Sequence, residues 1–123
     1  MNKVLDSIRS GARVSVVSGD RCVGKTTSIT QAVKSMPNHS FLIMVYSKKQ
    51  LLDVKRELKE DKNFWIVTKA AIDDPLRLAG YHPDIIIIDD FIELFKFLDG
   101  DIRKLNMMLN RVKKPTTQLV KVG

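Results

Sequence analysis

The sequence predicts an α/β fold, a three-layer sandwich with a mostly parallel central sheet. Short, fully apolar segments alternate with helix-length segments along the chain, and four consecutive isoleucines occupy positions 85–88. A continuous apolar run of strand length is typical of a strand that is buried on both faces, as in parallel sheets. Helix-length connections between the strands favour right-handed parallel crossovers.

The predicted elements follow this alternation in order. Leu51, Leu52, Val54 and Leu58 fall on one face of a helix whose other face is basic, and Pro37 ends the helix before it. Strands are predicted at 13–17, 41–46, 64–67, 85–88 and 115–122. Helices are predicted near 3–8, 25–35, 51–58 and 102–109, with a helical connection that ends at Gly80.

Length and composition predict one soluble domain spanning residues 1–123. The chain has 14.0 kDa, 44% hydrophobic and 28% charged residues, which is ordinary for a globular domain of common size. Its most apolar run is too short to cross a bilayer, and the amino terminus has no signal-peptide core, so we expect a cytoplasmic protein with no membrane partner, in the host cytoplasm if it is viral. Cys22 is the only cysteine, which excludes an internal disulfide.

Residues 19–26 have the pattern G-x-x-x-x-G-K-T directly after a predicted strand and before a predicted helix. Such a loop points successive backbone N–H groups at a triphosphate, its lysine reaches the β- and γ-phosphates, and its threonine hydroxyl holds Mg²⁺. The following helix directs its N-terminal dipole at the phosphates. We therefore predict ATP and Mg²⁺ as ligands. The candidate nucleotide-binding residues are Gly19, Asp20, Arg21, Cys22, Val23, Gly24, Lys25, Thr26 and Thr27.

Two residues inside this loop permit different interpretations. Arg21 would lie close to the γ-phosphate, where it could stabilise transition-state charge together with Lys25, or it is a solvent-exposed loop residue. Cys22 is better explained as a small filler residue than as a catalytic thiol. Arg21 and Lys25 are thus candidate catalytic residues.

A pair of acids follows the isoleucine run and resembles a Walker B element. Asp89 would hold the Mg²⁺, together with Thr26, and Asp90 would align the attacking water as a candidate catalytic residue. Many ATPases have a glutamate at the second position, so an aspartate there is one methylene shorter. The alternative is an ordinary strand that ends in solvated acids.

The net charge of +7 and the sequence pI of about 9.7 favour a polyanionic partner. The candidate nucleic-acid contacts are Lys48, Lys49, Lys55 and Arg56, which follow the second strand. Solvated helix faces explain such residues equally well.

Taken together, these motifs resemble the additional-strand, RecA-like class of P-loop NTPases, which includes the ATPase cores of helicases and phage terminase large subunits. The resemblance implies a P-loop NTPase fold, an arginine-containing Walker A loop as in terminases, and a nucleic-acid contact at 47–50. Thr117 and Gln118 correspond loosely to the coupling motif, as sensors of the γ-phosphate; the alternative is that they simply lie at the start of an ordinary strand. The sequence stops before the remaining strand and any C-terminal arginine finger, so the resemblance implies a minimal or truncated core. Either this core assembles with copies of itself or with a partner protein, or it is a fragment or a minimal regulatory descendant.

The leading hypothesis is an Mg²⁺-dependent domain that binds and hydrolyses ATP and acts on or near nucleic acid. Two alternatives stay open. One is an ATP-binding module that regulates a partner without hydrolysis, which the small size and Asp90 favour. The other is a small nucleoside or nucleotide kinase, although the sequence has no visible arginine-rich lid.

Overall fold

A computed structural model describes residues 2–17 and 25–123, except for the side chains of Lys25 and Pro75. The strands are β1 (Val14–Val17), β2 (Phe41–Val45), β3 (Phe64–Thr68), β4 (Ile85–Ile88) and β5 (Gln118–Val122). The α-helices are α1 (Lys3–Arg9), α2 (Lys25–Ser35), α3 (Lys48–Glu57), α4 (Phe91–Phe97) and α5 (Arg103–Val112). Two short 3₁₀ helices, Lys69–Ile72 and Pro75–Leu78, join β3 to β4.

The five strands form one sheet in the order β1-β5-β4-β2-β3, and every neighbouring pair is parallel. The predicted α/β class is therefore confirmed, and the sheet is parallel throughout its described strands. The last strand in sequence, β5, lies between β1 and β4. Because all strands run the same way, their carboxyl ends share one edge of the sheet, which we call the carboxyl edge, and their starts share the opposite amino edge.

Helices cover both faces of the sheet, as two hydrophobic clusters show. Along β4, Ile85 and Ile87 pack with residues of α1, α2 and α3, whereas Ile86 and Ile88 pack with residues of the 3₁₀ helices, α4 and α5. All four isoleucines are at most 1% exposed. The arrangement is compatible with a three-layer sandwich, and it explains why β4 has no polar residue on either face.

Local hydrogen bonding shifts several elements from their predicted bounds. Helix α3 begins at Lys48, earlier than its apolar pattern, because Ser47 and Gln50 form a capping box. The connection after β3 consists of two 3₁₀ helices of four residues each instead of a longer helix. Helix α4 was absent from the predicted elements. In the described part of the chain, no helix combines the length and apolarity that crossing a bilayer requires.

Candidate functional site

Asp89 and Asp90 follow β4 at the carboxyl edge, and the fold gives them different surroundings. Asp89 is 2% exposed, its backbone N–H donates to the Met44 carbonyl at 2.8 Å, and its Oδ1 accepts from the Asp90 N–H at 2.9 Å. Asp90 is half-buried and has left-handed backbone angles, φ 50° and ψ 46°. The strand thus presents one buried carboxylate and one that is partly open to solvent.

The side chain of Gln50 joins Asp90 to the turn between β2 and α3. Its Nε2 donates to Oδ2 of Asp90, and its Oε1 accepts from the Ser47 N–H at 2.8 Å. The Ser47 hydroxyl in turn accepts from the Gln50 N–H at 3.2 Å. From the sequence, Gln50 belongs only to the implied nucleic-acid contact at 47–50, and its contact with Asp90 was not predicted. The S-x-x-Q spacing could have revealed the helix cap, but no local signal indicates a contact across 40 positions of sequence.

Most of the predicted phosphate loop lies outside the described residues. This applies to Gly19, Asp20, Arg21, Cys22, Val23, Gly24 and the side chain of Lys25, whose roles remain predictions. The structure does describe both ends of the segment. Strand β1 ends at Val17, where the Val17 carbonyl accepts from the Gly123 N–H at 2.9 Å, and α2 begins at Lys25. In β5, Val122 pairs with Val17 of β1 and the adjacent Lys121 pairs with Ile88, the last residue of β4. The end of β1 and the acids that follow β4 therefore lie at the same edge of the sheet.

The predicted metal ligands offer the donor atoms that Mg²⁺ prefers. Thr26 is half-buried in the first turn of α2 and Thr27 beside it is exposed, while Asp89 supplies a buried carboxylate. Mg²⁺ is held in nucleotide sites by one or two protein oxygens together with phosphates and waters. Within residues 2–17 and 25–123, no group of three or more His, Cys, Asp or Glu could hold a metal by itself. The donor chemistry of Thr26 and Asp89 therefore fits Mg²⁺ that arrives with a nucleotide.

The structure separates the four candidate nucleic-acid contacts into two pairs. Lys48 and Lys49 are exposed in the first turn of α3, immediately beyond β2 at the carboxyl edge. Lys55 and Arg56 lie in its last turn, about 10 Å further along the helix axis. Arg56 also pairs with Asp53 at 2.9 Å. Of the four candidates, only Lys48 and Lys49 lie at the same edge of the sheet as Asp89 and Asp90.

The predicted sensor residues lie at the amino edge, so a sensor role does not fit their placement. Gln118 pairs with Ile85, four positions before Asp89, which is about 13 Å along the strand. The Thr117 hydroxyl donates to the Pro83 carbonyl at 2.7 Å and accepts from the Lys114 N–H at 2.8 Å. The Gln118 amide donates to the carbonyls of Ile8 and Ala12 at 3.0 and 3.1 Å. These side chains connect the amino-terminal end of β5 to the backbone of neighbouring segments, and they lie far from the carboxyl edge.

A second group at the carboxyl edge was not foreseen from the sequence. The Lys69 ammonium donates to the Tyr46 carbonyl at 3.0 Å and lies 4.2 Å from the centroid of the Tyr46 ring and 5.2 Å from that of Phe97. These three residues and Lys48 line part of a pocket of about 320 Å³ beside the ends of β2 and β3. The residues that line this pocket come from α3, β3, the first 3₁₀ helix, α4 and the turn after β2, so no sequence spacing connects them.

No protein-family model matches this chain, and no curated protein is significantly similar to it.

Proposed function

We propose that this protein is an Mg²⁺-dependent domain that binds and hydrolyses ATP and acts on or near nucleic acid, as a P-loop NTPase of helicase or packaging-motor type. The observation that carries the proposal is that Asp89 and Asp90 lie at the carboxyl edge of the sheet. Strand β1 ends at the same edge, and the G-x-x-x-x-G-K-T motif follows β1 in the sequence. Ligands of open parallel sheets bind outside the carboxyl ends of the strands.

The spacing of the strands supports a shared site. Since β5 lies between them, β1 and β4 are separated by two interstrand distances, or about 10 Å. The motif leaves the end of β1 and the acids leave the end of β4. A triphosphate held by the loop amides and Lys25 would therefore have its metal within reach of Asp89.

The two acids are suited to different tasks because their surroundings differ. Asp89 is buried and its carboxylate accepts a backbone N–H, which holds it in one orientation, as a metal ligand requires. Asp90 is partly open and can meet an attacking water, as a water-aligning base requires. Thr26 would complete the metal ligands, and Arg21 would stabilise charge on the γ-phosphate.

Charge supports the nucleic-acid part of the proposal. The net charge is +7, and the exposed pair Lys48 and Lys49 shares the carboxyl edge with the acids. A polyanion bound there would lie next to the nucleotide. We further propose that the domain assembles with copies of itself or with a partner protein when it works on the polymer.

Replacement of Lys25 tests the phosphate loop. Lys25→Ala should weaken binding of a labelled ATP analogue about 100-fold, because a charged clamp on phosphate contributes a few kcal/mol in a partly desolvated site. The matched control is Lys34→Ala, which removes an exposed lysine from the last turn of the same helix. Unchanged affinity in a folded Lys25→Ala protein would contradict the loop assignment.

Turnover measured with and without DNA and RNA separates the proposal from its alternatives. The proposal predicts phosphate release from ATP that requires Mg²⁺ and increases with one of the polymers. Binding without release would indicate a regulatory module, and phosphoryl transfer to an added nucleoside or nucleotide would indicate a kinase. The particle size with and without ATP and Mg²⁺ tests assembly.

A further inference from the structure

The side-chain amide of Gln50 has two ends, and each makes a different contact. Its oxygen completes the capping box of α3 by accepting from the Ser47 N–H and from the Ser47 hydroxyl at 3.1 Å. Its nitrogen donates to Oδ2 of Asp90. The helix cap needs only the oxygen, so the contact with Asp90 goes beyond what capping requires.

Asp90 occupies the N-cap position of α4 without using its side chain as a cap. A side-chain oxygen of an N-cap aspartate commonly accepts an N–H from the first turn of its helix, but Asp90 makes no such hydrogen bond. Its backbone is left-handed, and its carboxylate accepts instead from Gln50 in the first turn of α3. The orientation of the Asp90 carboxylate is thus determined in part by a residue from another element.

We propose that Gln50 is a positioning residue for Asp90. By holding Oδ2, its amide restricts rotation of the carboxylate and thereby sets the direction in which Asp90 meets the attacking water. A base must be oriented within hydrogen-bond reach of the proton it accepts, so loss of this restraint lowers turnover more than binding. The inference rests on the proposed ATP hydrolysis and adds a residue to that site.

The variant Gln50→Glu separates the contact from the cap. Glutamate at this position retains the acceptor that completes the capping box, but it removes the donor and brings a negative charge next to Asp90. We expect kcat for ATP to fall about tenfold while KM for ATP changes less than about twofold. The control is Gln31→Glu, the same chemical change at an exposed position of α2, which should have wild-type kcat and KM.

A second measurement tests the contact without relying on turnover. Gln50→Glu should lower the melting temperature, because two carboxylates then face each other. The double variant Gln50→Glu/Asp90→Asn exchanges the amide and the carboxylate, so it should recover most of the lost melting temperature.

The outcomes distinguish this inference from the proposed function. A fall in kcat at constant KM, together with recovery of the melting temperature in the double variant, supports it. If the wild type hydrolyses ATP and Gln50→Glu has the same kcat, the positioning role is wrong and the proposed function stands. Failure of the double variant to recover its melting temperature means that the contact is absent in solution, which overturns the inference. Absence of ATP hydrolysis in the wild type overturns both.

Discussion

The two edges of the sheet both carry polar side chains, but they use them differently. At the amino edge, Thr117 and Gln118 are hydrogen-bonded to backbone groups of other segments. At the carboxyl edge, the Gln50 side chain joins the Ser47 backbone N–H to the carboxylate of Asp90, and Lys48 and Lys49 are exposed. Polar groups that satisfy the backbone stabilise the fold. At the carboxyl edge the acids lie instead near exposed lysines, on the side of the sheet where ligands of parallel sheets bind.

The electrostatics of the amino edge support this structural interpretation. Asp84 accepts from the Lys114 ammonium at 2.6 Å and from the Ser40 N–H at 3.0 Å. These hydrogen bonds, first of all that from Lys114, hold the pKa of Asp84 below its ordinary value. Burial, with a smaller contribution from Asp84, raises the pKa of Tyr81, whose hydroxyl donates to the Phe41 carbonyl at 2.7 Å. The ion pair of Asp84 and Lys114 at this edge therefore holds two segments of the chain together.

The largest expected effect of any substitution in this comparison is at the carboxyl edge. Asp90→Asn should reduce kcat for ATP about 100-fold or more with little change in nucleotide affinity, because it removes only the group that aligns the water. Asp89→Asn should instead weaken Mg²⁺-dependent binding, since it removes a metal ligand. Steady-state hydrolysis and binding with and without Mg²⁺ measure both. Equal turnover in wild type and Asp90→Asn would remove Asp90 from the mechanism, and a higher turnover in Asp90→Glu would show that the short side chain is limiting.

At the amino edge we expect the reverse pattern, a loss of stability without a loss of activity. Thr117→Val keeps the shape of a buried side chain but leaves the Pro83 carbonyl and the Lys114 N–H without their partner. The free energy of unfolding should fall by about 1–3 kcal/mol. Urea unfolding and ATP turnover are the two measurements. A variant of wild-type stability with reduced turnover would restore the sensor role and abolish the contrast between the edges.

A smaller effect, on the salt dependence of nucleic-acid binding, should distinguish the two ends of α3. Wild-type binding to nucleic acid should weaken with salt, with a log–log slope of about −3 to −4 if about four phosphates are contacted. Replacement of Lys48 and Lys49 by Ala should reduce the magnitude of this slope by about 2 while ATP affinity stays the same. The matched control replaces Lys55 and Arg56 at the far end of the helix and should change the slope less. No binding of wild type to any nucleic acid at low salt would remove the main support for a motor-type function.

The smallest expected effect is a pH dependence that arises at the amino edge. Because the pKa of Asp84 is lower in the folded state, its ion pair stabilises the protein above the unfolded-state pKa of about 3.9 and is lost as the pH falls through the folded-state pKa. Both partners are about one-third exposed, so the effect should be below about 1 kcal/mol. Between pH 6 and pH 3, wild type should therefore lose slightly more unfolding free energy than Asp84→Asn. Parallel pH profiles of the two proteins would show that the ion pair does not contribute.

Local sequence was a good guide to the strands and to most helices. The isoleucine run predicts β4 because burial on both faces leaves no position for a polar residue. The start of α2 at Lys25 was predicted from the motif before it. The predicted last strand, 115–122, ends where β5 ends, but β5 begins later, at Gln118. Helix α4 escaped prediction, since its exposed face carries Ile92, Phe95 and Phe97, and these hide the amphipathic pattern of a surface helix.

The sequence by itself determined the α/β class, the strands, and the acids at the end of β4, because these depend on residues near one another along the chain. Only the tertiary structure decided that β5 lies between β1 and β4, that Thr117 and Gln118 face the amino edge, and that Gln50 holds Asp90. Such features join positions 30 or more residues apart. These features depend on how whole helices and strands pack, because the burial of many side chains together determines the arrangement. The spacing of residues within one segment does not contain this information.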